Sequence, residues 1–204
     1  MNTTPGSPAP SSADYERQTM RVLVIADYYD VSAEPPLAEM VKRHRLDAVI
    51  TAGDLSKFDL NGIDALPVPV LGVYGNHCNG RYLEELGVTN LHLAYVGHHG
   101  VSFTGLQGCV RYKDDEHDIL YTQDEYRSLV ASLPRADVLI THCPPRGIND
   151  HSDAAHIGID ALLPWIDWAR PRLVIHGHTY PESPVTEYHG SRIEYVRGAR
   201  IIDI

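Results

Sequence analysis

Residues 173–181 read LVIHGHTYP, an apolar run that ends in two histidines on either side of a glycine. Such a run is typical of a strand that is buried on both faces of a sheet. Four more apolar runs along the chain also end in polar residues. These runs are MRVLVIAD, ending at Asp27, DAVITAGD, ending at Asp54, PVLGVYGNH, ending at Asn76 and His77, and ADVLITH, ending at His142. The sequence therefore predicts several buried strands that end in polar groups.

Helical patterns separate several of these runs. Residues 37–44 carry apolar side chains at spacings of three and four, which predicts a helix, and Thr122 with Glu125 matches a capping box that starts another. Residues 91–120 alternate irregularly and predict short antiparallel strands, and residues 183–204 predict antiparallel hairpins. Strand–helix alternation followed by hairpins predicts an α/β fold built in layers, with mixed sheets.

Composition limits the class of protein. Residues 1–19 are rich in Pro, Ser and Thr and predict a flexible tail, so one domain is expected over residues 20–204. The formal net charge of -10 argues against a surface that grips nucleic acid. No apolar stretch approaches the roughly 20 residues of a membrane helix. Three cysteines without a CxxC spacing, and the lack of a signal-peptide pattern, predict a cytoplasmic protein.

The polar residues at the strand ends predict a metal site. Ligands bind outside the carboxyl ends of strands in open α/β sheets, so five strands are expected to deliver Asp, Asp, Asn, His and His to one rim. Oxygen and imidazole ligands without thiolate suit a divalent metal, with Mn²⁺ as the first candidate and Fe, Zn²⁺ or Mg²⁺ as alternatives. Each residue alone has an ordinary explanation as a turn former or a structural histidine. Their joint occurrence, each directly after an apolar strand, favours the metal site.

The set of motifs resembles that of the calcineurin-like metallophosphoesterase superfamily, whose signature is D-x-H, G-D, G-N-H-[DE], a lone H and G-H-x-H. This chain has Asp27-Tyr28-Tyr29, Gly53-Asp54, Gly75-Asn76-His77-Cys78, His142 and Gly177-His178-Thr179-Tyr180. The resemblance covers residues 20–204. It implies a four-layer β-sandwich of two mixed sheets flanked by helices, and two divalent metals bridged by one aspartate.

The resemblance also implies a role for each matching residue. The ligands implied are Asp54, Asn76, His142 and His178 for one metal, with Asp27 and the shared Asp54 for the other. His77 matches the residue that protonates or stabilises the leaving oxygen. The implied reaction is hydrolysis of a phosphodiester or phosphomonoester by a metal-activated water. A small phosphorylated substrate is compatible with the acidic net charge. The sequence is also compatible with a homo-oligomer.

Two positions depart from the signature, and both belong to the same metal. Tyr29 and Tyr180 stand where the superfamily has histidine ligands. In one interpretation that metal is weak or absent, because neutral tyrosine with a pKa of about 10 is a poor ligand, and Lys57 supplies part of the missing charge. In a second, Fe³⁺ deprotonates both tyrosines. In a third, the site is a relic and the fold is a catalytically weak or inactive module that binds proteins.

Two further residues lie close to the motifs. Lys57 and Arg146, the latter in the loop after His142, are the candidates for substrate binding, with a solvated loop arginine as the alternative for Arg146. Cys78 replaces the acidic residue that follows the histidine of the G-N-H motif, so the group that orients His77 is an open question. For the thiol itself, a buried and inert cysteine is the simpler interpretation.

Overall fold

The computed structural model describes residues 19–204. In this range the strands are β1 (Arg21–Ala26), β2 (Ala48–Ala52), β3 (Val70–Val73), β4 (Thr89–Asn90), β5 (Val96–His98), β6 (Val101–Leu106), β7 (Cys109–Val110), β8 (Leu120–Tyr121), β9 (Val138–Thr141), β10 (Leu173–His176), β11 (Glu187–Tyr188), β12 (Ser191–Tyr195) and β13 (Gly198–Asp203). The helices are α1 (Leu37–His44), α2 (Tyr82–Glu85), α3 (Gln123–Ala131) and α4 (Leu162–Ala169), with a 3₁₀ turn at Ile63–Ala65. The predicted tail lies outside the described residues except for Thr19. None of the helices described is long and apolar enough to cross a lipid bilayer.

Two mixed sheets form the centre of the molecule. The first has the strand order β13-β1-β2-β3-β4, in which only β13 is antiparallel to its neighbour. The second has the order β11-β12-β10-β9-β6-β5, with four parallel strands between antiparallel edges. Strands β7 and β8 form a separate parallel pair. The predicted α/β class with two mixed sheets is therefore confirmed.

Strand β1 shows why the strand runs are apolar throughout. Successive side chains of a strand point to opposite faces of the sheet. Val22 and Val24 lie in the core between the two sheets, whereas Leu23 and Ile25 belong to a second cluster that includes Leu37 of α1. A third cluster packs α3 and α4 on the outer face of the second sheet. Helices therefore cover both outer faces, which gives the four expected layers.

The pairing of two segments differs from the sequence prediction. In the middle segment only β5 and β6 are antiparallel, because β6 runs parallel to β9 and β7 parallel to β8. At the C-terminal end only β11 and β12 form a hairpin, and β13 crosses to the first sheet to pair with β1. Alternation and turn residues predict where a strand lies and bends. The partner strand is selected by burial against distant parts of the chain.

The capping box at the start of α3 is present as predicted. The Thr122 hydroxyl accepts the Glu125 amide at 3.2 Å, and the Glu125 carboxylate accepts the Thr122 amide at 2.7 Å. Thr122→Ala is expected to lower the free energy of unfolding by about 1 kcal/mol, because it leaves a helix amide without its acceptor. Denaturant unfolding measures the change. Ser128→Ala, in the middle of the same helix, is the control, and equal losses in the two variants would contradict the capping role.

Candidate metal centre

The carboxyl ends of five strands meet at one rim of the sandwich. Strands β1, β2 and β3 are parallel neighbours in the first sheet, as are β9 and β10 in the second. Two hydrogen bonds join the sheets at this rim. The Asp27 carboxylate accepts the His178 amide at 3.0 Å, and ring atom Nδ1 of His142 lies 2.9 Å from the Ala52 carbonyl oxygen. The partners are 151 and 90 positions apart in the chain, so the rim exists only in the folded protein.

Three residues at this rim have a left-handed backbone conformation. Their φ angles are 66° at Asp27, 51° at Asp54 and 69° at His178. Each follows a strand directly or after one glycine, at the point where the chain turns away from its sheet. A left-handed residue other than glycine costs on the order of 1–3 kcal/mol, and such strain is characteristic of functional sites. Three of the nine residues other than glycine that have a positive φ angle in the described part of the chain therefore lie at this rim.

Three of the predicted ligands form a compact cluster. Asp54, His142 and His178 each offer one ligand atom, and these atoms lie within 4.8 Å of one another. Nε2 of His142 is 3.3 Å from a carboxylate oxygen of Asp54 and 3.1 Å from the amide oxygen of Asn76. The four residues thus offer one carboxylate, one amide oxygen and two imidazoles. This donor set suits a divalent ion such as Mn²⁺, Fe²⁺ or Zn²⁺.

Backbone carbonyls select the tautomers of both histidines. A carbonyl oxygen can only accept, so Nδ1 of His142 donates to Ala52, and Nε2 of His178 donates to Ala155 at 2.8 Å. In the neutral rings the remaining nitrogens then carry a lone pair. For His142 this lone pair faces the oxygens of Asp54 and Asn76. Outer hydrogen bonds of this kind orient the histidine ligands of metal sites.

The electrostatics of the cluster favour a cation at its centre. Burial raises the pKa of Asp54, but the His142 charge and hydrogen bond and the His77 amide outweigh it and lower the pKa to about 2. Burial lowers the pKa of His142, yet the adjacent Asp54 outweighs that effect, and the pKa is raised. Burial and the His142 charge lower the pKa of His178 to about 3. Electron-rich atoms that converge in this way are stabilised by a proton on His142 or by a metal ion.

His77 lies at the open side of the cluster. Its amide donates to Asp54 at 2.9 Å, while its side chain is 57% exposed. Nδ1 of its ring is 3.4 Å from the carboxylate of Asp118, which pairs at 2.7 Å with Lys113. Asp118 therefore supplies the carboxylate beside His77, in place of the acidic residue that Cys78 replaces. His77 and Asp118 line a cleft of about 530 Å³ whose other walls are largely polar.

The residues do not fit a second metal ion. The Tyr29 side chain is buried in the cluster below α1, and its hydroxyl donates to the Pro35 carbonyl at 2.9 Å. The Tyr180 side chain is half exposed, and its ring lies 6.2 Å from that of His156. Asp27 and the shared Asp54 are the ligands that remain of the implied set. The Tyr29 hydroxyl is engaged in the core, which agrees with the interpretation that the metal expected on this side is weak or absent.

Two candidate substrate-binding residues have other contacts. Lys57 is exposed, and its ammonium lies 5.7 Å from the centre of the Phe58 ring. Arg146 lies 3.6 Å from Asp150 and 3.8 Å from Asp160, as expected of a loop arginine in ion pairs. The structure brings neither side chain into contact with the cluster. Their role in substrate binding stays a prediction without support from these contacts.

Arg197, a cation outside the motifs, contributes to the electrostatics of Asp27. Burial raises the pKa of Asp27, and the charges of His142 and Arg197, with the His178 amide, offset only part of that rise. Sequence reasoning missed Arg197 because it belongs to no motif. Arg197 directly precedes β13. The pairing of β13 with β1, which brings Arg197 to this rim, is visible only in the structure.

Cys78 is buried, and its sulfur accepts the Gly75 amide at 3.1 Å. Burial and the Asp54 charge raise its pKa to about 11. A thiol with so high a pKa is neutral at physiological pH and is a poor nucleophile and ligand. Burial likewise raises the pKa of Cys143 to about 12. The interpretation of Cys78 as a buried and inert cysteine agrees with the structure, and Cys143 is buried in the same way.

Residues 20–184 match the family model described as the calcineurin-like phosphoesterase superfamily domain. The chain belongs to this superfamily. No curated protein matches it significantly. Solved structures similar to it include the protein TT1561 of Thermus thermophilus, at 13% identity and a TM-score of 0.63, covering 89% of this chain and 90% of that one.

Two further solved structures are similar to this superfamily member. One is a dimetal phosphatase from Danio rerio, at 15% identity and a TM-score of 0.57, covering 88% of this chain and 87% of that one. The other is a phosphatase from Mycoplasma pneumoniae, at 12% identity and a TM-score of 0.51, covering 89% of this chain and 73% of that one. At these identities the likeness shows the fold. Together with the family model, it confirms the predicted family and architecture.

Proposed function

We propose that this protein is a metal-dependent phosphoesterase that hydrolyses a small phosphomonoester or phosphodiester at a centre with one divalent ion. The observation that carries the proposal is the convergence of Asp54, His142 and His178 within 4.8 Å, with lone pairs directed by the Ala52 and Ala155 carbonyls. Asn76 completes the set, with its amide oxygen 3.1 Å from His142. A divalent ion bound there supplies a Lewis acid for the phosphoryl group and a nucleophile at neutral pH.

His77 is the residue proposed to assist the leaving group. It is exposed at the mouth of the site, and its amide bond to Asp54 fixes its backbone next to the cluster. The carboxylate of Asp118 lies 3.4 Å from Nδ1, so it can accept a hydrogen bond from that atom and orient the ring. His77 therefore has a partner on one side and open space on the other, as a general acid needs.

The surroundings favour a small substrate. The formal net charge of -10 disfavours a long polyanion and leaves a small phosphorylated compound as the preferred substrate class. The cleft beside His77 includes Arg81 and His117 and is about 530 Å³ in volume, which suits a leaving group of modest size. We expect the protein to act in the cytoplasm and to use Mn²⁺.

Hydrolysis of p-nitrophenyl phosphate and of its bis ester by metal-stripped protein tests the proposal. Turnover is expected to appear as Mn²⁺ is added, and the preferred ester separates phosphatase from phosphodiesterase. His77→Ala is expected to lower kcat by about 10²–10⁴-fold, because it removes the proton donor. His189→Ala, an exposed histidine paired with Asp167, is the control and should retain the wild-type rate. Wild-type protein without turnover in Mn²⁺, Fe²⁺, Zn²⁺ or Mg²⁺ would contradict the proposal.

A second candidate function is protein binding. An apolar groove of about 520 Å³ lies between α3 and α4, and its wall includes Trp168, which is 64% exposed. Exposed apolar surface of this kind is typical of a site for a protein partner. This surface belongs to the outer layer of the second sheet, away from the cluster residues, so both functions are compatible. Binding alone becomes the favoured function if the hydrolysis experiment gives no turnover.

A further inference from the structure

Arg197 lies opposite Asp27 because of the register between two strands. Ala26, the last residue of β1, pairs with Gly198, the first residue of β13. The strands are antiparallel, so the residue before Gly198 lies across from the residue after Ala26. Arg197 also sits in the short connection through which the chain crosses from the second sheet to the first. The arginine is therefore held at the rim where the strand ends meet.

Two tyrosine rings flank the Arg197 guanidinium. Its central carbon lies 4.7 Å from the centre of the Tyr180 ring and 5.7 Å from that of Tyr28. Aromatic faces attract a cation without neutralising it. The nearby Arg192 and Arg200 both pair with Glu194, whereas no carboxylate within 4 Å of Arg197 occurs among residues 19–204. The Arg197 guanidinium is thus held by two aromatic rings, and its charge is available to bind an anion.

The same place lacks the donors for a second metal ion. Oδ2 of Asp27 is buried and has no hydrogen-bond partner among the described residues. Tyr29, at one of the two histidine positions of the signature, donates its hydroxyl to the Pro35 carbonyl in the core. Tyr180, at the other histidine position, packs its ring on Arg197. Arg197 is therefore a cation that the chain itself offers on this side of the site.

We propose that Arg197 binds the phosphoryl group of the substrate at the position that a second metal takes in a two-metal site. This inference rests on the proposed function and adds the residue that recognises the phosphate. A guanidinium offers paired donors that match two phosphate oxygens, so one arginine can both hold the group and offset its charge. The centre then consists of one divalent ion and one organic cation, and the Tyr28 and Tyr180 rings keep the guanidinium in place.

Metal stoichiometry and phosphate affinity test this assignment without reference to turnover. Calorimetry with Mn²⁺ is expected to give one ion per chain for wild-type protein and for Arg197→Gln. Inorganic phosphate is then titrated into both Mn²⁺-loaded proteins. Arg197→Gln is expected to bind phosphate about ten- to hundredfold more weakly, because it loses charge-assisted hydrogen bonds. Arg197→Lys should recover part of the affinity, since it keeps the charge but loses the planar fork. Arg200→Gln, three residues further along the chain on β13, is the matched control and should bind like wild type.

Each outcome distinguishes the inference from the proposed function. Two Mn²⁺ ions per chain, wild-type protein that binds no phosphate, or equal phosphate affinity in Arg197→Gln and Arg200→Gln would overturn the role of Arg197. The proposed function would survive any of these results if the ester substrates were still hydrolysed. Conversely, Arg197-dependent phosphate binding without turnover would uphold the phosphate site and remove the enzymatic proposal. Circular dichroism of each variant checks that the exposed substitution leaves the fold intact.

Discussion

Asp54→Ala is expected to abolish Mn²⁺-dependent hydrolysis and to weaken Mn²⁺ binding by more than about a hundredfold. Asp54 is the one carboxylate in the cluster, and its oxygen lies 3.3 Å from Nε2 of His142. Loss of an outer hydrogen-bond partner of a metal ligand costs about 10–100-fold in affinity, so the loss of a charged ligand costs more. Calorimetry with Mn²⁺ measures the affinity, and p-nitrophenyl ester hydrolysis measures the rate.

Asp64→Ala is the control for this substitution. Asp64 is an exposed carboxylate on the 3₁₀ turn after β2, and its removal changes the net charge of the protein by the same amount. It should leave Mn²⁺ affinity and turnover at wild-type values. Strong Mn²⁺ binding by Asp54→Ala would show that the ion binds elsewhere and would remove the cluster as the catalytic centre.

Gly53→Ala is expected to lower the free energy of unfolding by about 3 kcal/mol or more and to disrupt the cluster. The φ angle of Gly53 is 92°, a conformation that side chains disfavour. A Cβ atom there would also lie 2.5 Å from Nδ1 of His142 and 2.6 Å from the Gly75 amide nitrogen. The His142 ring must then move off the Ala52 carbonyl that orients it. Denaturant unfolding measures the stability, and Mn²⁺ calorimetry measures the damage to the site.

Gly62→Ala separates backbone strain from steric clash. Its φ angle is 80°, similar to that of Gly53, but a Cβ atom there meets nothing within 4 Å. It should cost only about 1–2 kcal/mol and leave Mn²⁺ affinity unchanged. If Gly53→Ala were no more harmful than Gly62→Ala, the close packing of β2, β3 and His142 would not be a requirement of the site.

The sequence alone predicted the strand ends and, through the motifs that resemble those of the superfamily, the four residues proposed as ligands of one ion. Each ligand directly follows an apolar run, or follows it after one or two residues, and strands buried on both faces must be apolar throughout. Patterns of this kind, like the capping box of Thr122 and Glu125, involve residues that are close together in the sequence. For the same reason the α/β class could be predicted, while the partners of the middle and C-terminal strands could not.

The tertiary structure decided what surrounds the ligands. Tyr29 and Tyr180 look equivalent in the motifs, yet one hydroxyl is bound to Pro35 in the core and the other ring packs on Arg197. Asp118 takes the place beside His77 that the motif gives to the next residue. Arg197 lies at the rim beside the end of β1 only because β13 crosses to the first sheet and pairs with β1. Contacts between residues far apart in the chain depend on which faces can be buried together, and no short stretch of sequence carries that information.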